Sequence, residues 1–187
     1  MTMSYGYFHQ PNRDVRVAFD LFFRSVPDKG GYAIFAGLQH VIEFVENLSF
    51  SDADIAYFRK QNLFSEEFLD FLRGFRFRGD IYAMPEGTII YPNEPLLTIV
   101  APIIDAQLVE TAILAQINHQ SLVATKASRI VRAAEGRKVA DFGARRAHNM
   151  DAATYGARAA YIGGIDMTAT VSAGQQFNIP ISGTMAH

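Results

Sequence analysis

Apolar and polar positions change their spacing several times along the chain, and each change predicts a different element. Val15 to Phe23 alternates and carries aromatic residues, which predicts a strand, and Pro27-Asp28-Lys29-Gly30-Gly31 then turns the chain. Leu38, Val41, Ile42 and Val45 recur at steps of three and four, which predicts an amphipathic helix ending at Asn47-Leu48-Ser49. Ser51 and Ser65 each precede acidic residues and then an apolar stripe, the arrangement of an N-cap opening a short helix. From Phe75 to Val100 the period becomes two. Asp80 to Met84, Thr88 to Tyr91 and Leu96 to Val100 are separated by turns around Pro85-Glu86-Gly87 and Pro92, and they predict three strands in a meander.

After Pro102 the helical period returns. Val109, Ile113 and Ile117 form one stripe and Ala124, Ala127, Val131 and Ala134 another, which predicts a long helical run broken near His119 and capped at Gly136. Strand and helix then alternate: a strand at Lys138 to Phe142, a helix at Asp151 to Tyr161, a strand near Ile165, a helix near Ala173 and a strand at Ile179 to Ser182. That alternation is the beginning of a parallel α/β unit. The shift from β to α character places a boundary between residues 1–104, an α+β domain, and residues 105–187, the start of an α/β domain.

Composition narrows what such a chain does. Of its 187 residues 49% are hydrophobic, enough for a buried core. Its 17 basic and 19 acidic residues leave a net charge of -2, so no global positive field marks a nucleic-acid binder. There is no cysteine, which excludes thiolate zinc sites and agrees with a cytoplasmic setting. The first residues have neither a basic nor an apolar leader pattern, and no uncharged run reaches membrane-spanning length. His9, His40, His119 and His148 lack ligand-like spacing, so no metal site is expected. Gly163-Gly164 and Gly183 fall short of a dinucleotide fingerprint, and there is no Walker loop. Lys126, Arg129 and Arg132 lie at helical spacing, either as phosphate contacts or as a solvated basic face.

The candidate chemistry begins at Asp141-Phe142-Gly143-Ala144-Arg145-Arg146, which follows an apolar strand and so falls at its carboxyl end, where α/β folds bind ligands. An aromatic ring near a guanidinium can stack on a heteroaromatic substrate and offer a fork of donors to a carboxylate or phosphate. The plainer alternative is a core Phe142 and a solvated Arg145.

This stretch, followed by Tyr161-Ile162-Gly163-Gly164, Ser172-Ala173-Gly174 and Ser182-Gly183-Thr184-Met185-Ala186-His187, resembles the successive motifs of nicotinate phosphoribosyltransferases. The likeness extends through Tyr5-Gly6-Tyr7-Phe8, Ala18 to Arg24, Tyr32 to Leu38, Met84-Pro85-Glu86-Gly87, Asn93-Glu94-Pro95-Leu96 and Ala124-Thr125-Lys126, essentially the whole chain. The resemblance implies an α/β fold: an N-terminal α+β domain joined to an irregular α/β barrel of the type II phosphoribosyltransferase kind. It also implies that nicotinate and 5-phosphoribosyl 1-diphosphate meet at the barrel's carboxyl face, in a homodimer with shared active sites.

The same resemblance implies that His187 is phosphorylated by ATP, with Mg2+ as its companion, and that Thr184 contacts nicotinate. A neutral imidazole is a competent nucleophile, although a C-terminal histidine is otherwise just an exposed tail. Relatives that prefer nicotinamide carry an Asp at the position aligned with Thr170. A carboxylate there would repel nicotinate, so neutral Thr170 favours the acid; its other reading is the start of a helix. Two departures stand out. The chain begins inside a motif that supplies relatives with a stacking tyrosine, and relatives continue past His187, so a fragment or one part of a split protein, inactive alone, is expected. A catalytically silent pyridine-binding domain, or a transferase for nicotinamide or quinolinate on the same fold, is the competing expectation.

Overall fold

A computed structural model of the chain describes residues 1–26, 28 and 30–183. The elements are α1 (Thr2–Phe8), β1 (Arg16–Leu21), β2 (Ala33–Ile34), α2 (Leu38–Asn47), α3 (Asp52–Gln61), α4 (Glu66–Arg73) and β3 (Asp80–Ala83). They continue with β4 (Ile89–Ile90), β5 (Leu97–Pro102), α5 (Ile103–Ala133), β6 (Ala140–Asp141), α6 (Met150–Ile162), β7 (Met167–Thr168) and α7 (Val171–Phe177). They gather into two compact units whose segments interleave along the sequence.

The first unit takes residues 1–21, 39–82 and 97–114. Its sheet has the order β1-β5-β3, with β1 and β5 antiparallel from Arg16 opposite Pro102 to Leu21 opposite Leu97. Alternate β5 residues Leu97, Ile99 and Ala101 are buried, as a one-sided sheet requires. The second core of this unit is helical. Ser51 caps α3 by accepting from the Asp54 N–H while Asp54 accepts from the Ser51 N–H, and Ser65 caps α4 through the Phe68 N–H. Both helices bury their apolar stripe in a cluster of Ile55, Phe68, Leu69 and Leu72. Helix α1, which sequence patterning does not predict, packs Tyr5 and Phe8 on Phe68 at ring separations of 5.1 and 5.2 Å.

The second unit takes residues 22–38, 83–96 and the chain from 115 onward. β2 and β4 pair antiparallel, and β2 is also held by α5: the Ile34 N–H donates to Thr125 Oγ1 at 2.8 Å and the Ala36 N–H to Ser121 Oγ at 3.1 Å. β6 and β7 pair in parallel through Ala140 opposite Met167 and Asp141 opposite Thr168, and Ile181 bridges Thr168 in the same sense. Small residues carry the helix packing here. Ala124 packs in one cluster with Ala159 and Ala127 in another with Ala160, so the α5 and α6 backbones approach closely. The α/β class expected from the strand and helix alternation is the class observed.

Two expectations are corrected. The segments β3, β4 and β5 do not form a meander, because β5 lies between β1 and β3 while β4 pairs with β2 in a separate sheet. Periodicity reports that a segment is a strand and is silent about its partner. Helix α5 is also unbroken at His119. Its buried positions Val109, Ile113, Ile117, Gln120, Ala124 and Ala127 follow steps of three and four as one continuous stripe, and no Pro or Gly interrupts the helix. Gly136, at φ +84, turns the chain three residues beyond the end of α5.

Gly163, at the C-terminal cap of α6, lies tight against α5: an added Cβ would lie 2.4 Å from the Ala124 carbonyl oxygen and 2.8 Å from the Ala127 Cβ. Gly163→Ala is expected to cost about 1–3 kcal/mol through overpacking, read from the urea midpoint with helix content unchanged. A midpoint equal to the parent's would show that the two helices separate freely.

Candidate functional site

Short strands β6 and β7 deliver the chemistry-bearing residues. Immediately after β6, the Asp141 Oδ1 accepts the Gly143 N–H at 2.8 Å, an Asx turn that throws Phe142 outward before the tight helical turn Ala144–Arg146. Phe142 remains 43% exposed, which removes the alternative that it is core, and Arg145 is exposed on that turn. After β7 the chain reaches Thr170, the N-cap residue of α7, so the helix-start reading of Thr170 holds as a structural fact. Yet its side chain caps nothing. Thr170 is 7% exposed, and its Oγ1 has no hydrogen-bond partner among the described residues. A buried hydroxyl without a partner loses the solvation it had in water, so such a group is normally matched by something.

Phe142, Arg145 and Thr170 therefore sit at the carboxyl ends of two adjacent parallel strands. Thr184 and His187 lie outside the described residues, and their placement is not part of this geometry. A cavity of about 310 Å3 opens beside the same loop, at the small end of the range for small-molecule sites, about 300–1,000 Å3. It is lined by Asp141, Gly143, Arg146, His119, His148 and the start of α6, and not by Phe142, Arg145 or Thr170. Sequence spacing leaves His119 and His148 as isolated histidines; the fold gathers them at one cavity because α5 runs alongside α6. The His119 Nε2 lies 3.2 Å from the Ala152 carbonyl oxygen. Their only advance signal is that His148 follows Arg145-Arg146 within one turn.

Other candidates have structural work. Lys126 and Arg129 each pair with Asp28 at 3.4 Å; the solvated-face reading fits Lys126, which is exposed, whereas Arg129 is largely buried over the Tyr32 ring. Among the described residues no three His, Asp or Glu side chains cluster as a metal site. Among the described residues no helix is long and apolar enough to cross a membrane.

Glu86 is the acidic residue of Met84-Pro85-Glu86-Gly87, and it organises the surrounding unit. Its Oε1 accepts from the Gly37 N–H at 2.6 Å, the Leu38 N–H at 3.1 Å and Arg158 Nη1 at 2.9 Å, while its Oε2 accepts from Arg158 Nη2 at 2.6 Å. Both side chains are largely buried, at 17% and 16% exposed. Burial pushes the Glu86 carboxyl up, but the hydrogen bonds from Arg158 and Gly37, the Arg158 charge and the Leu38 N–H outweigh it and hold the group below the ordinary glutamate range. Arg158 also lies over the Phe177 ring at 5.5 Å, which joins α6 to α7.

The fold thus places an exposed aromatic ring, an exposed guanidinium and a buried hydroxyl that lacks a partner among the described residues at the ends of two parallel strands. A family model for the nicotinate phosphoribosyltransferase N-terminal domain matches residues 1–118. A nicotinate phosphoribosyltransferase of Mycobacterium tuberculosis is 49% identical over 187 residues, covering 100% of this chain and 40% of the relative. One from Bacillus subtilis is 46% identical, covering 100% of this chain and 38% of the relative. A crystal structure of human nicotinic acid phosphoribosyltransferase superposes with a TM-score of 0.92 at 33% identity, over 100% of this chain and 38% of that one. The chain belongs to the nicotinate phosphoribosyltransferase family. It spans about two fifths of the length of the curated relatives it matches.

The Glu86 and Arg158 pair yields a pH prediction. A carboxyl whose folded pKa is depressed adds stability that is present above its unfolded value, about 4.3 for glutamate, and lost as pH falls through the folded value. Arg158→Met leaves Glu86 buried without its cation and is expected to cost about 3 kcal/mol near neutrality, with the deficit shrinking as Glu86 protonates in acid. Urea titrations of parent and variant across that range measure it; a deficit independent of pH would mean that the loss is packing alone.

Proposed function

We propose that the full-length protein forms nicotinate mononucleotide and diphosphate from nicotinate and 5-phosphoribosyl 1-diphosphate, as a step of NAD salvage coupled to ATP hydrolysis through a phosphohistidine at His187. The observation that carries this reading is the placing of an exposed Phe142 and Arg145 loop beside the buried hydroxyl of Thr170, which lacks a partner among the described residues, at the ends of adjacent strands. Family membership and the relatives' names support the substrate class.

In this reading Phe142 stacks on the pyridine ring, contributing about 1 kcal/mol beyond its burial. Arg145 offers a bidentate fork to the nicotinate carboxylate or a substrate phosphate, and Thr170 offers a neutral hydroxyl where an Asp would repel the acid. Thr184 adds a further contact to nicotinate. The lone pair of the ring nitrogen forms the new bond to the anomeric carbon, and the electrons of the broken carbon–oxygen bond leave with diphosphate. Positive charge developing on the ribosyl carbon is stabilised by nearby anions. His187 receives a phosphoryl group as its imidazole nitrogen forms the P–N bond and ADP departs. Asp141 is the acidic residue of the cavity lining, and both its oxygens already accept protein hydrogen bonds. ATP and Mg2+ belong to the same proposal, with the ion held largely by the substrate phosphates and not by a cage of protein carboxylates. A homodimer with shared sites, a cytoplasmic setting and a catalytic barrel beginning at residue 105 belong to the same proposal.

The test is nucleotide formation by full-length enzyme. Thr170→Asp is expected to raise the nicotinate KM at least tenfold, about 1.4 kcal/mol of added repulsion in a weakly screened site; an unchanged KM in a folded variant would place Thr170 outside the site. His187→Ala is expected to abolish ATP stimulation while leaving weak ATP-independent synthesis. Label from gamma-labelled ATP should be acid-labile, base-stable and confined to His187, and label elsewhere or stimulation persisting in the variant would overturn the phosphohistidine.

A further inference from the structure

We infer that Thr168 is the positioning residue of this site, a hub that fixes the Phe142 and Arg145 loop and Thr170 relative to each other; this deepens the proposed nicotinate site and rests on it. Thr168 is 1% exposed, in strand β7, and every polar group it carries is spent between strand ends. Its Oγ1 donates to Asp141 Oδ2 at 2.8 Å and accepts the Thr170 N–H at 3.0 Å. The same Asp141 carboxylate accepts the Gly143 N–H through its other oxygen, and the Asp141 carbonyl accepts the Ala169 N–H at 2.8 Å. On the other side, the Thr168 N–H donates to the Pro180 carbonyl at 3.0 Å and its carbonyl accepts the Ser182 N–H at 2.9 Å. One residue thus ties the loop after β6, the turn into α7 and the segment that precedes residue 184.

The hydroxyl is the part that backbone pairing cannot replace. A threonine hydroxyl has one proton and two lone pairs, so it can donate to a carboxylate and accept an amide at once. Valine has the same shape and does neither. Without the hydroxyl, Asp141 loses the partner that orients its carboxylate and hence the Asx turn carrying Phe142, and the Thr170 amide loses its acceptor. Both consequences fall on residues assigned to the base and neither removes a side chain that touches it. The signature is therefore a defect in nicotinate binding at a sustained turnover number.

In full-length enzyme, Thr168→Val is expected to raise the nicotinate KM about tenfold with kcat within about twofold, and Thr168→Ser, which keeps the hydroxyl, to stay within about twofold of the parent in both. A merely structural role lowers the active fraction, so that Vmax falls and KM holds. That result, an unchanged KM, or a serine variant as poor as the valine one would each overturn the hub. A parent that forms no nicotinate mononucleotide defeats the proposed function itself, and the hub is then judged by amide exchange: Thr168→Val should speed exchange at both Thr170 and Gly143, although only the first is bonded to Thr168. Acceleration at Thr170 alone would overturn it. Should the valine variant fail to fold, the parent decides, because amides held by one hub open together; Gly143 and Thr170 protection differing by more than about tenfold refutes the linkage.

Discussion

The second unit depends on a single carboxylate. Glu86 takes two backbone N–H groups at the Gly37-Leu38 corner and a bidentate guanidinium from α6, so the segment 83–96, the corner and α6 meet at one charge. None of these segments has an extensive backbone ladder to the others. β4 contributes two residues to its sheet and the Gly37 corner requires φ +108, a conformation that glycine adopts without strain. A buried ion pair is weak evidence for stability as such, since desolvation offsets much of its attraction. Its value here is geometric: the two N–H groups and the fork fix directions that an apolar contact leaves open.

The elements of the chain were largely legible, and their partners were not. Ser51 and Ser65 announce helices because a cap is a local bargain between one side chain and the next turn. The strand character of Ile89-Ile90 is equally local, yet its pairing with Ala33-Ile34 is decided more than fifty residues away, where Ser121 and Thr125 of α5 satisfy β2. Helix α1 escapes periodic reading since its seven residues owe their order to Tyr5 and Phe8 packing on Phe68.

The site divides in the same way. Phe142 and Arg145 stand out in the sequence through motifs in order and Thr170 through relatives that carry an Asp at its position, and the fold puts all three at neighbouring strand ends. His119 gives no such signal, because a histidine on a long helix carries no sign of the loop it will face, and it meets Arg146 and His148 only at the cavity. Thr168 was invisible for a different reason. A threonine in a strand is the commonest of occupants, and only its bonds to Asp141 and Thr170 distinguish it.

Strands β6 and β7 are two residues long, and two residues of parallel pairing specify register weakly. Side chains supply the remainder at both ends of the pair. At the entering end the Asp166 carboxylate accepts the Val139 N–H at 2.8 Å, and the Asp166 N–H donates to the Val139 carbonyl at 3.0 Å. At the leaving end Thr168 and Asp141 close the pair. A slip by one residue would break both clamps together and turn Asp141 and Thr168 toward the opposite face. The register that keeps this short sheet intact is therefore the register that presents Phe142 and Thr170 on one rim, so that fold and proposed site are specified by the same three polar contacts.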